Sequence, residues 1–245
     1  MNSTFREVRL DREEMWRHIR EQRLAVAEAL TSLSPDEWEW PSLCEGWRVR
    51  DVVAHVGLAP EITLGTAVRE LARARGSFHR LIRETAIDRA ALPNGELISI
   101  VRRVADSRRL APGTTTTEPL LDILVHAQDI FLPLGRDFAM PERPALVAAD
   151  RIWQIPPPFG FGAKKRLRGL RVSATDASWS RGDGPSISGP LKAIVLLISG
   201  RDAAALPYLS GEGVNVLIGR SKNKAAPPTA TAPNDPGTAA RQPDS

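Results

Sequence analysis

An aspartate, a histidine and a second aspartate, Asp122, His126 and Asp129, follow one another at spacings of four and three in the stretch DILVHAQDI. Those spacings put all three on one stripe of a helix. The residues around them, among them Leu120, Leu121, Ile123, Leu124, Val125, Ala127, Ile130 and Phe131, are apolar nearly all round, the pattern of a buried helix. A carboxylate and an imidazole inside a core need a partner, because a bare buried charge is strongly unfavourable. A divalent metal is the simplest partner for both. Asp122 and His126 supply two ligands, and a third has to come from elsewhere. His55 is the best candidate, since it lies on a second apolar segment with Val49, Val52, Val53, Ala54, Val56 and Leu58. Two plainer alternatives stand beside this: a hydrogen-bonded core histidine at 126, and an Asp51–His55 pair at i, i+4. Asp51 and Asp129 also suit a place behind the ligands, since a ligating histidine usually gives its other N–H to a carboxylate or carbonyl.

A His₂-carboxylate set is compatible with catalytic zinc that keeps an open position for water or substrate. It is equally the pattern of non-haem iron, and sequence does not separate the two. No H-E-x-x-H motif supplies a built-in base; Glu45 and Asp51 are the nearby carboxylates. An incoming thiol needs less help, because coordination itself favours the thiolate. Cys44, the one protein thiol, is either a small apolar filler beside the tryptophans or a substrate contact in the loop before the metal helix.

Helices must position these groups. Residues 11–33 predict a long helix capped by Asp11, with Met15, Ile19, Leu24, Val26, Ala27 and Leu30 inward and Arg17, Arg20 and Arg23 largely toward water. Ser34-Pro35-Asp36-Glu37 opens a short second helix: cap serine, first-turn proline and a glutamate three residues on. An aromatic loop follows with Trp38, Trp40 and Trp47; these tryptophans seal one end of a core, or one of them lines a pocket. Helices are then predicted at 49–58, 61–74, 77–91 and 96–110. A polar turn at 112–117 leads into the Asp122 helix, with Pro119 in its first turn and Pro133 and Gly135 ending it. Residues 8–140 thus read as an antiparallel helical bundle. Residues 141–155 look like a connecting helix and Pro156-Pro157-Pro158 a rigid spacer, together a linker at 141–160. Residues 161–220 read as a small mixed α/β unit. Strands are predicted at 169–174, 186–188 and 214–218, and 191–198 is a helix or a strand. Residues 221–245, without aromatic or large aliphatic side chains, read as a disordered tail.

The 245-residue length allows a real core in each part. One cysteine excludes an internal disulfide framework and, with no signal-like or membrane-spanning apolar run, points to the cytoplasm. The net charge of +4 is dispersed, apart from KKRLRGLR at 164–171, and reads as a solvated basic surface rather than a nucleic-acid site.

The stretch from Trp38 through PSLCEGWRVRDVVAHV (41–56) resembles the N-terminal signature of the mycothiol-dependent maleylpyruvate isomerase family. That family belongs to the DinB/YfiT-like metal-binding four-helix bundles. LLDILVHAQDI (120–130) resembles its second metal motif. Ala174-Thr175-Asp176…Trp179, Ser188-Gly189-Pro190, Gly200-Arg201 and Gly211-Glu212-Gly213-Val214 resemble the sterol-carrier-like domain attached in many relatives. The resemblance implies zinc held by His55, Asp122 and His126, mycothiol as the thiol, and Trp47 and Cys44 beside them. It also implies a small unsaturated or electrophilic acid as substrate, with Arg201 as the cation that would meet it. The implied reaction is thiolate addition to a cis double bond, rotation and elimination. Two departures stand out: aspartate at 122 where the founding isomerase has glutamate, and alanine at 127 where glycine is expected. They leave room for a mycothiol S-transferase or a non-catalytic small-ligand protein. Monomer and homodimer both remain open.

Overall fold

The structure, a computed structural model of the chain, describes residues 8–58, 60, 78–111, 113–156 and 160–225. Helix α1 (Arg12–Leu30) begins at Asp11, whose side chain accepts from the Glu14 amide while Glu14 reaches back to the Asp11 amide. The same reciprocal box, built from Ser34 and Glu37, opens α2 (Pro35–Glu39). The aromatic loop leads to α3 (Val49–Leu58), which carries His55. Helix α4 (Phe78–Arg89) packs on α3; α5 (Asn94–Val104) and α6 (Thr117–Phe131) complete the N-terminal region. Helices α1, α3, α5 and α6 touch in a ring, each against two neighbours, which makes a four-helix bundle. Its interior is filled by Val26, Leu30, Trp38, Val52, Val53, Val56, Leu97, Val101, Ile123 and Ile130. The helix expected at 61–74 lies outside the described residues.

Helix α6 passes into a 3₁₀ turn over Leu132–Leu134, which stops where Gly135 adopts a left-handed φ of 69°, a conformation that costs an L side chain energy. Helix α7 (Glu142–Gln154) packs on both α6 and the later helix α9, so the expected connector is a wall shared by the two halves. One apolar cluster runs without a break from Trp16 and Ile19 through Leu120, Leu124, Ala148 and Ile152 to Leu170, Val172, Ile187, Ile194 and Val195.

After the short α8 (Ala163–Arg166) comes a three-stranded sheet of order β2-β1-β3. Strand β1 (Arg171–Ala174) pairs antiparallel with β2 (Ser180–Arg181) and parallel with β3 (Ser186–Gly189), Val172 standing opposite Ile187. The parallel pair places its apolar positions toward α9 (Leu191–Ile198), a helix buried along nearly its whole length. Asp202–Ala205 forms α10.

Three expectations are corrected. The strand expected at 214–218 is part of a helix, α11 (Glu212–Ala225). Its buried or half-buried positions Gly213, Val214, Leu217 and Ile218 recur at helical spacing, with Asn215 and Val216 exposed. That helix also carries the first five residues of the expected disordered tail; 226–245 lie outside the described residues. Arg23, expected to face water, is buried and donates from Nη1 to the carbonyls of Val104 (2.9 Å) and Ser107 (3.2 Å). Among the described residues no helix is long and apolar enough to cross a membrane.

Candidate metal centre

His126 is the hub of the site, and its two ring nitrogens face different surroundings. Nε2 lies 3.4 Å from Asp122 Oδ1, one helical turn back on α6. His55, brought in by α3, places its own Nε2 3.2 Å from the same oxygen. The two imidazoles meet edge to face with centroids 4.9 Å apart. The donor atoms of His55, Asp122 and His126 thus all lie within 4.8 Å of one another. Ligand atoms around a tetrahedral zinc at bond lengths of about 2.0–2.1 Å stand roughly 3.3 Å apart. The spacings of 3.2 and 3.4 Å about Asp122 Oδ1 match that figure, so the residues present fit a divalent ion.

On the other side, His126 Nδ1 donates to Asp129 Oδ2 at 2.8 Å. Asp129 is 0 % exposed, and Arg201 answers its charge from the turn between α9 and α10. Arg201 Nη2 reaches Oδ2 at 2.6 Å and Nε reaches Oδ1 at 2.9 Å, a two-pronged contact. The guanidinium also donates to the Ser199 carbonyl and lies over the Phe161 ring. The Cys44 thiol donates to Asp129 Oδ2 at 3.1 Å and accepts from Arg201 at 3.4 Å. Cys44, His126 and Asp129 form a second group whose ligand atoms lie close enough for a metal.

The local electrostatics follow from these contacts. Burial pushes the Asp122 carboxyl up, but the charges of His126 and then His55 outweigh it and hold it well below the usual carboxylate range. Burial would lower His126, yet the charge of Asp122 and the bonds to Asp122 and Asp129 hold it well above an ordinary histidine. Burial also opposes the charge on Asp129, and the His126 hydrogen bond and Arg201 charge keep it ionised. Arg201, disfavoured by burial, is raised by the charge of Asp129.

Of the residues singled out in the sequence, the structure brings His55, Asp122, His126, Asp129, Cys44 and Arg201 together. Trp47 stands edge-on to His55, centroids 5.6 Å apart. Asp51 is a correction. It does not stand behind His55: its carboxylate accepts from the Arg48 amide at 2.8 Å and from the Arg48 guanidinium at 2.9 and 3.0 Å, closing the first turn of α3. Three residues ahead of the aspartate, Arg48 is the nearer partner. Arg201, expected as the cation for an acidic substrate, has its guanidinium engaged by the Asp129 carboxylate. Sequence reasoning missed Arg23, whose guanidinium is disfavoured by burial and supported by the Asp122 charge across the bundle. The signal was present, since 23 falls on the stripe of Ile19, Val26, Ala27 and Leu30.

Comparison with known proteins bears on the same residues. Residues 19–131 match the family model for the mycothiol maleylpyruvate isomerase N-terminal domain, a span that contains His55, Asp122, His126 and Asp129. A search of curated proteins returned no match. A crystal structure of the mycothiol-dependent maleylpyruvate isomerase superposes with a TM-score of 0.58 at 18 % identity, covering 83 % of this chain and 94 % of the other. A histidine-to-alanine mutant of that enzyme gives 0.57 at 17 % identity over the same shares. The fold is therefore common to the helical and α/β parts alike. Residues 19–131 thus resemble the mycothiol maleylpyruvate isomerase N-terminal domain in sequence, and over most of its length the chain shares the fold of that isomerase's crystal structure.

Proposed function

We propose that this protein is a metal-dependent enzyme that uses a low-molecular-weight thiol, mycothiol, to isomerise a small cis-unsaturated acid. The observation that carries the reading is the convergence of the His55, Asp122 and His126 donor atoms within 4.8 Å of one another, with both imidazole nitrogens 3.2 and 3.4 Å from one Asp122 oxygen. We assign these three as the ligands, in preference to Cys44, His126 and Asp129. Asp129 is already committed to Arg201 and the His126 N–H. When bound, a divalent ion supplies the Lewis acidity that favours the thiolate of a coordinated thiol near neutral pH. Asp129 fixes which nitrogen of His126 carries the proton and points Nε2 at the other two donors. Arg201 holds Asp129 in turn. Trp47 borders His55 and offers an apolar wall beside the sulfur. The reaction is addition of the thiolate to one alkene carbon, rotation about the new single bond, and departure of the same thiolate with the trans double bond restored.

Thiol transfer to an electrophile is the second reading. Asp122 favours it, because its side chain is one methylene shorter than the glutamate of the founding isomerase and alters how substrate and thiol share the site. Zinc-loaded protein given mycothiol and maleylpyruvate separates the two by mass spectrometry. Isomerisation leaves substrate mass unchanged with turnover strictly dependent on thiol, whereas transfer adds the mass of the thiol. No thiol-dependent change with either maleylpyruvate or a reactive electrophile would overturn both.

A further inference from the structure

Among the guanidinium groups on the elements around the site are Arg48, Arg50, Arg201 and Arg83. Arg48 is held by Asp51 and Glu39. Arg50 is held by Glu39 and the Leu92 carbonyl. Arg201, the cation that the sequence offers to an acidic substrate, is closed against Asp129. The fourth is Arg83, on the exposed side of α4, and it makes no ion pair among the described residues.

Arg83 reaches the loop beside the site. Its guanidinium lies across the loop that joins Cys44 to Trp47: a Cβ built on Gly46 would stand 3.1 Å from Arg83 Nη2 and 3.5 Å from Cζ. Gly46 has a φ of +74°, which lets the loop turn there and leaves the space that the guanidinium fills. One end of this short loop puts a thiol against Asp129, and the other puts the Trp47 ring against His55. A cation that makes no ion pair among the described residues therefore rests on a loop that touches both sides of the metal centre.

We infer that Arg83 is the residue that binds the substrate's carboxylate at the rim of the site, the role that Arg201 cannot fill while it neutralises Asp129. A planar guanidinium suits a carboxylate through two parallel N–H donations, and an exposed one orients a small anion without a large desolvation cost. The inference rests on the reading of the site as one for a small unsaturated acid and adds which residue selects it.

The test measures binding of maleate, a small cis dicarboxylate, to the metal-loaded protein by calorimetry, beside the KM and kcat for maleylpyruvate. Arg83→Gln is expected to weaken maleate about tenfold and raise KM by a like factor, with kcat within twofold and metal content unchanged. Arg83→Lys should restore part of the loss, since charge returns without the two-pronged geometry. Maleate affinity and KM equal to wild type in Arg83→Gln would overturn the inference while leaving the enzyme reading intact. Failure of the enzyme reading shows differently, as wild-type protein without thiol-dependent turnover. Wild-type protein that holds metal but binds no maleate overturns this inference as well.

Discussion

The two sides of the His126 ring are built from the same chemistry and finished differently. Beyond Nδ1, the Asp129 carboxylate is fully enclosed and answered by a guanidinium that is only 9 % exposed. Beyond Nε2, the Asp122 carboxylate is 27 % exposed and faces two imidazoles that are each 15 % exposed. One side carries its own cation, supplied by a distant part of the chain. The other gathers two imidazoles around a carboxylate that stays partly exposed. The contrast teaches why both aspartates occur on one stripe: one anion is there to be neutralised permanently, and the other to hold something that arrives.

The largest effect that sharpens this contrast is on metal binding. His55→Ala removes a donor from the open side only, so metal measured by plasma mass spectrometry should fall from near one equivalent to near none. Its far-UV circular dichroism should remain that of wild type. Retained metal in this variant would erase the distinction between the two sides.

The closed side is expected to respond in stability. Arg201→Met leaves Asp129 buried without its counter-charge, a change of about 3–5 kcal/mol in urea unfolding. The double variant Arg201→Met/Asp129→Asn should recover a good part of that, because no orphaned charge remains. Both should also weaken metal binding by roughly 10–100-fold through the orientation of His126. Strict additivity of the two substitutions would break the account of this side.

Asp51 and Glu118 serve as carboxylates outside the comparison. Asp51→Ala should cost about 1 kcal/mol by uncapping α3, with metal content unchanged. Glu118 gives the smallest effect. Burial opposes its charge, but bonds from Thr115 and Arg151 hold its carboxyl below the ordinary value of 4.5. Its folded value lies below its unfolded one, so its stabilisation is present above the ordinary value and is lost as pH falls beneath it. Glu118→Gln should therefore flatten the acid limb of the stability–pH curve, and its stability difference from wild type should be constant above about pH 6.

What could be read in the sequence were features written in local spacing. Asp122, His126 and Asp129 announce themselves by landing on one stripe of an apolar helix, and Asp11 and Ser34 announce helix starts by the glutamate three residues on. The meeting of His55 with Asp122 needed two helices to pack, and only the resemblance of their flanking motifs suggested it. Arg201 was visible as a cation, but its carboxylate lies 72 positions earlier, so nothing local could show that the charge is already answered. The helix at Glu212–Ala225 was hidden for another reason: Val214, Val216 and Ile218 alternate as in a strand, and only the burial of Gly213 and Leu217 against the sheet selects the helical period. Asp51 misled because two partners, Arg48 and His55, lie within one helical turn of it, and spacing does not rank them.

The most direct measurement of the central claim is an anomalous-scattering map from crystals of protein purified without chelator, collected on both sides of the zinc edge. The account predicts one peak, within about 2.0–2.2 Å of His55 Nε2, His126 Nε2 and an Asp122 oxygen, with a coordination position left facing Trp47. A peak among Cys44, His126 Nδ1 and Asp129, or an Asp122 carboxylate bonded only to the two histidines in metal-saturated crystals, would contradict it.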